Sequence, residues 1–190
     1  VPTTVDTSTA ILQAALPTFA RFGYRKTSMD DVARAAGLSR QALYLHFESK
    51  EQLFRGAATL LFETSLEGAK LALGDADRPL EDRLVAAFDA WHGDSLDLMH
   101  AGGHADELIA RGHELLGEME LAFHERFVRS LAAALRGSAR GLARARVSER
   151  DVAEMLTATS KGLKHMARSR AEYRQGMRTA ARLVAAPAPR

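Results

Sequence analysis

The sequence predicts an all-α protein of about nine helices. Apolar residues recur at three- and four-residue intervals along most of the chain. Gly, Ser, Thr and Pro punctuate these segments, and no stretch alternates apolar and polar residues over strand lengths. Hydrophobic residues make up 46% of the 190, enough to build a sizeable core rather than a disordered chain. Cysteine is absent, which excludes disulfides, thiolate zinc sites and a cysteine nucleophile. No apolar run approaches the ~18 residues that span a bilayer, and no basic-then-apolar segment opens the chain. The expectation is a cytoplasmic protein with no membrane partner.

Residues 1–8 are polar and read as an arm. Ile11, Leu12, Ala15, Leu16, Phe19 and Phe22 follow helical spacing up to Gly23, with Pro17 expected to kink or split that helix. Thr27 or Ser28 caps the next helix, where Asp30 and Asp31 suit the helix dipole, and Gly37 ends it. Ser39 caps a short helix through Phe47. Ser49 caps a long one that carries Leu53, Phe54, Ala57, Leu60, Leu61, Thr64 and Leu71 and ends near Gly74. After the linker at 75–79, Leu80, Leu84, Ala87, Phe88 and Trp91 mark another helix, and Gly93 and Gly102-Gly103 interrupt the stretch beyond it. Leu115, Leu116, Met119, Phe123, Phe127 and Leu131 line the inward side of a helix over 113–136, before a small-residue connection at 137–146. Ser148 caps a helix striped by Val152, Met155, Leu156, Thr159, Leu163 and Met166. A last helix over 170–185 precedes a Pro-Ala-Pro tail.

The net charge of +2 is unevenly spread. Residues 1–53 carry six Lys/Arg against five Asp/Glu, residues 54–135 seven against fifteen, and residues 136–190 thirteen against four. A uniformly basic coat is excluded, so any nucleic-acid contact must be a local patch. The acidic middle and basic end either neutralise each other or form separate solvated faces.

The stretch 27–54, TSMDDVARAAGLSRQALYLHFESKEQLF, carries the most chemistry. Two short helices meet at Ala36-Gly37-Leu38, where Gly37 takes the positive φ of a sharp turn and Ala33 lets the helices cross closely. Val32, Ala36, Leu38 and Leu43 face inward. This is a helix-turn-helix pattern, whose second helix fits a major groove. A glycine turn is weak evidence by itself; the clustered polar groups on the outward face strengthen it. Ser39 caps the second helix, leaving amide donors for a phosphate. Arg40 and Gln41 have the geometry to contact guanine and adenine in bidentate fashion, and Ala42 and Leu45 offer apolar surface to thymine methyls. Tyr44, His46, Lys50, Thr27 and Ser28 are candidate phosphate contacts.

Phe22-Gly23-Tyr24, Thr27–Ala33, Ala36–Ser39, Leu43–Phe47 and Ser49–Leu53 together resemble the N-terminal domain of TetR-type transcriptional regulators, over roughly residues 8–55. The resemblance implies a three-helix DNA-binding head leading into a long fourth helix, and a helical regulatory body of about five more. It places Arg40, Gln41, Ala42 and Leu45 at base-reading positions, and Thr27, Tyr44, His46 and Lys50 at backbone-contacting ones. Pro17 departs from the usual uninterrupted first helix. The expected domains are 1–48, binding DNA, and 49–190, binding an effector and dimerising. The expected function is a ligand-responsive regulator: a repressor released from a pseudo-palindromic operator by a small molecule, with no enzymatic activity and no cofactor.

The body carries no such signature. Phe88, Trp91, His92, Ser95, Met99, His104, Met119, Phe123 and Met155 are candidate effector-lining residues, because ligand sites are mostly apolar with a few polar groups. Val152, Met155, Leu156, Thr159, Leu163, Met166, Tyr173 and Met177 are candidate homodimer contacts, since by the resemblance the last two helices pair with their copies. His92, His100, His104, His113 and His124 invite a metal reading, but Gly102-Gly103 opposes a shared helix face for His100 and His104, and no HExxH run exists. No nucleophile elbow, P-loop or dinucleotide fingerprint supports an enzyme. A purely structural helical adaptor would not require Arg40, Gln41, Tyr44 and Lys50 on one presented surface.

Overall fold

The computed structural model describes residues 6–136 and 147–185, and among these every regular element is a helix. There are eight: α1 Thr7–Phe22, α2 Met29–Ala35, α3 Arg40–Tyr44, α4 Lys50–Gly74, α5 Leu80–Gly102, α6 Ala105–Leu135, α7 Glu149–Met166 and α8 Arg170–Ala185. The expected connection at 137–146 and the Pro-Ala-Pro tail lie outside the described residues. No described helix is long and apolar enough to cross a membrane.

The described chain forms two compact units, residues 6–63 with 98–120, and residues 64–97 with 121–136 and 147–185. The first holds α1, α2 and α3. Its core gathers Ile11, Ala15, Phe19, Val32, Leu43, Phe47, Leu53 and Phe54 with Leu115 and Leu116 of α6. Phe19, Tyr24 and Phe54 pack mutually, ring centroids 5.2–5.4 Å apart.

Pro17 sits inside α1 without splitting it. Pro17 and Gln13 are both exposed, so the carbonyl that the proline leaves without a donor is on the side facing water, while Ile11, Ala15 and Phe19 anchor both halves in the core. Thr18 adds a bond from its hydroxyl to the Ala14 carbonyl (2.7 Å) beside the interruption.

The glycines of the middle segment behave differently from their sequence reading. α5 runs through Gly93 to Gly102, and α6 begins at Ala105 rather than near His113. Gly93 is helical and glycine for room: a Cβ there would fall on the Arg170 guanidinium. Gly102 lies against the Ala20 carbonyl of α1 in the same way. Only Gly103, at φ +70°, breaks the chain direction.

The second unit packs Phe88 and Trp91 of α5 on Phe127 of α6, edge-on at 5.3 Å and stacked at 4.5 Å respectively. Ser148 and Asp151 form a reciprocal capping box at the start of α7. α8 buries only Tyr173, Met177 and Ala181. Its arginines instead form a ladder against α5. Arg170 reaches Asp89 (2.8 Å), Asp94 (3.1 Å) and Asp97 (2.8 Å). Arg174 lies 3.8 Å from Asp89, Arg178 3.8 Å from Asp82, and Arg182 3.1 Å from Glu81. The acidic middle and basic end of the sequence therefore meet here, pair by pair.

Candidate nucleic-acid interface

The candidate site is built on α2, the turn after it, and α3. Ser28 caps α2 through a box in which the Asp31 amide donates to Ser28 Oγ (3.2 Å) and the Ser28 amide to Asp31 Oδ2 (2.9 Å). These bonds hold the Asp31 carboxyl below its usual pKa range. Gly37, at φ +71°, closes the turn, with the Leu38 amide donating to the Ala33 carbonyl (2.8 Å). Ser39 Oγ accepts from the Ala42 amide (3.1 Å) and caps α3. α3 ends at Tyr44, short of the expected Phe47, because the His46 amide closes a tighter turn onto the Leu43 carbonyl (3.0 Å).

Burial then sorts the side chains. Val32, Ala33, Leu43 and Phe47 point inward, whereas Ser39, Arg40, Gln41, Tyr44, Leu45 and His46 are exposed and Ala42 is half-buried. Leu45 is 82% exposed, unusual for a leucine with no partner in the fold. The Arg40 guanidinium lies over the Tyr44 ring at 5.5 Å, which aligns the two along one face.

Three candidate phosphate contacts have other tasks in the fold. Thr27 is 1% exposed, and its hydroxyl donates to the Gly23 carbonyl (2.7 Å). Ser28 donates its hydroxyl to Asp31 (2.6 Å). Lys50 directs its ammonium at the carbonyls of Tyr24 (2.9 Å), Arg25 (3.2 Å) and Thr27 (3.0 Å) and lies 4.7 Å from the Tyr24 ring centre. An ammonium satisfied by three carbonyls fixes the loop before α2. The sequence pattern could not separate that role from a phosphate contact.

The sequence reading missed the far side of this loop. Glu107 of α6 accepts from the Arg25 amide (2.7 Å) and lies 3.4 Å from its Nε, and these bonds lower the Glu107 pKa. Arg111 lies over the same Tyr24 ring as Lys50, 4.9 Å from its centre, and pairs with Glu114 (2.7 Å). Nothing in the sequence brings Glu107, 82 residues away, to Arg25.

The candidate effector residues divide. Phe88, Trp91, His92 and Phe123 are buried in the second unit, where Ser95 Oγ donates to the His92 carbonyl (2.9 Å). Met99, His104 and Met119 belong to the first unit. There Met119 packs on the head's core and His104 lies 3.8 Å from Glu107. Met155 is 51% exposed. Beside Trp91 runs a buried polar chain the sequence did not reveal. His92 Nδ1 lies 2.8 Å from Ser160 Oγ, Ser160 Oγ 2.6 Å from the Tyr173 hydroxyl, and that hydroxyl donates to the Phe88 carbonyl (3.2 Å). Read from His92 to Phe88, each donor has one acceptor. Burial, and then the positive charges of Lys164, Lys161, His124 and His165, hold the His92 pKa well below its ordinary value; burial raises that of Tyr173.

The candidate dimer residues also divide. Val152, Leu156, Tyr173 and Met177 are buried within the protomer, and Leu163 is half-buried against Gly176. Met155, Thr159 and Met166 lie exposed on α7, Met166 at 78%; Leu183 of α8, at 79%, was not anticipated. Among the described residues, no group of three or more His, Asp or Glu gathers as a metal site would require.

A family model of tetR-type bacterial regulatory proteins matches residues 11–57. The chain is 36% identical over 69 residues to YhgD, an uncharacterized HTH-type transcriptional regulator of Bacillus subtilis (strain 168), which is 36% of each protein. It is 44% identical over 50 residues to a probable acrEF/envCD operon repressor of Escherichia coli (strain K12), 26% of this chain and 23% of that one. The match thus spans about a third or less of these relatives' length. The solved structure of PfmR, a TetR family transcriptional regulator from Thermus thermophilus, superposes with a TM-score of 0.63 at 25% identity, covering 95% of this chain and 99% of that one. Residues 11–57 thus resemble the N-terminal segment of the tetR family of bacterial regulatory proteins, and the chain shares its helical fold with a solved member of that family.

Proposed function

We propose that the protein is a ligand-responsive transcriptional regulator that binds a pseudo-palindromic operator as a homodimer and represses until a small molecule releases it. The observation that carries this reading is the outward face of α3, where Arg40, Gln41, Tyr44 and Leu45 are exposed on a helix whose inner residues are fixed in the core. Such a helix presents base-reading groups to a major groove without unfolding anything. Pairing through Met155, Thr159, Met166 and Leu183 would cover the apolar surface that α7 and α8 leave exposed. The effector would lie among Phe88, Trp91, His92, Ser95 and Phe123, a reading supported by the aromatic side chains beside the buried polar chain. Because α4, α5 and α6 each run through both units, a ligand that prefers one arrangement of these helices biases the head. The affinity difference needed is ~1–3 kcal/mol.

Selection of bound duplexes from a random-sequence pool tests this. The expected product is an inverted repeat with half-sites about one helical turn apart. Recovery of no enriched sequence, or of a single unrepeated half-site by a monomer, overturns it.

A further inference from the structure

α1 and the end of α3 meet at a polar contact. Ser8 Oγ, in the first turn of α1, lies 3.0 Å from His46 Nδ1, 38 residues further on. Ser8 is half-buried and His46 is exposed, as are the neighbouring Tyr44 and Leu45. The backbone around His46 is already fixed: the His46 and Phe47 amides both donate to the Leu43 carbonyl at 3.0 Å, and Leu43 and Phe47 are buried. Those bonds leave the imidazole free to turn about its own two torsions. Ser8 supplies the contact that orients it.

We infer that Ser8 is a positioning residue of the nucleic-acid interface, donating its hydroxyl to His46 Nδ1 so that the proton rests on Nε2 and the outer ring nitrogen presents a donor to a DNA phosphate. The inference rests on the DNA-binding reading above. The state of one ring nitrogen is set by the bond the other makes. An obligate acceptor at Nδ1, such as a carboxylate, would draw the proton there and leave a neutral ring with a lone pair toward the anion. A hydroxyl can donate to Nδ1, which keeps the proton on Nε2 and the outer nitrogen a donor to the phosphate. The same hydroxyl accepts from Nδ1 if the ring becomes an imidazolium, so both donating forms of His46 fit. The consequence is that the first turn of α1 is part of the DNA-facing edge.

Two measurements test this. In the free protein, 15N resonances of the neutral His46 ring should report the Nε2–H tautomer, and Ser8→Ala should return the ring toward the mixture of free histidine. A random-sequence duplex at low salt then probes the phosphate contact, which does not depend on sequence. Ser8→Ala should weaken binding by about threefold, the scale of one modest hydrogen bond, and Ser8→Thr should restore it. His46→Ala should weaken it at least as much, and adding Ser8→Ala to His46→Ala should cost nothing further. Equal losses from Ser8→Ala in both backgrounds overturn the inference, since Ser8 would then act on DNA directly. So does a tautomer indifferent to Ser8→Ala. Wild-type protein that binds no duplex overturns the DNA-binding reading itself, and that failure is separate from the tautomer result.

Discussion

Lys50 shows how one residue can carry two incompatible readings until its neighbours are known. Its ammonium satisfies three carbonyls of the loop before α2 and is half-buried. Replacing it with Met should destabilise the protein by about 1–2 kcal/mol, because charged hydrogen bonds to the loop are lost. It should leave the salt dependence of duplex binding unchanged, where a phosphate contact would reduce the slope by about one. Urea unfolding and a salt titration separate the two. Arg40 is the opposite case: exposed, aligned by Tyr44, and bonded to nothing that holds the fold. Arg40→Ala should cost ~1–3 kcal/mol at one base position of each half-site and relax specificity there. A mobility-shift titration against operator variants measures it.

At the scale of the helices, glycine has different uses in neighbouring positions. Gly93 and Gly102 lie within one helix and mark close approaches, whereas Gly103 makes the turn and Gly112 meets nothing. Gly102→Ala should destabilise by about 1–3 kcal/mol, because its methyl would meet the Ala20 backbone carbonyl, which has no freedom to swing aside. Gly112→Ala should stabilise by about 0.5–1 kcal/mol, the ordinary gain of alanine in a helix interior. Thermal melts of the two variants give opposite signs. The sequence marks all four positions alike, because the reason for Gly93 lies on α8 and that for Gly102 on α1. Caps were legible for the converse reason: Ser28–Asp31 and Ser148–Asp151 act within four residues, so the pattern contains both partners. α3 with its turn was read for the same cause, and the outward set Arg40, Gln41 and Leu45 followed from helical spacing. What the sequence hid are contacts over long separations, Ser8 with His46, Arg25 with Glu107, and His92 with Ser160.

Across the molecule, burying a neutral histidine links folding to pH. His92 stays unprotonated in the folded protein, while the unfolded chain takes up a proton near the ordinary value of 6.5. The unfolded state therefore binds more protons below that pH, and stability falls as pH drops through it. The slope approaches about 1.4 kcal/mol per pH unit. Unfolding measured between about pH 5 and 7 should show this loss, and His92→Asn should flatten it. The uneven charge of the chain finds its explanation at this scale too, since the arginines at every fourth position of α8 face the acids of α5 in antiparallel order. Such a ladder taken alone is a poor ruler. Slid by one helical turn of about 5.4 Å, it would still bring cations near carboxylates. The missing side chain at Gly93 reduces that ambiguity. Its hollow receives the Arg170 guanidinium, as a detent receives a sliding bolt, and favours the register in which that guanidinium has room over a slip of one turn.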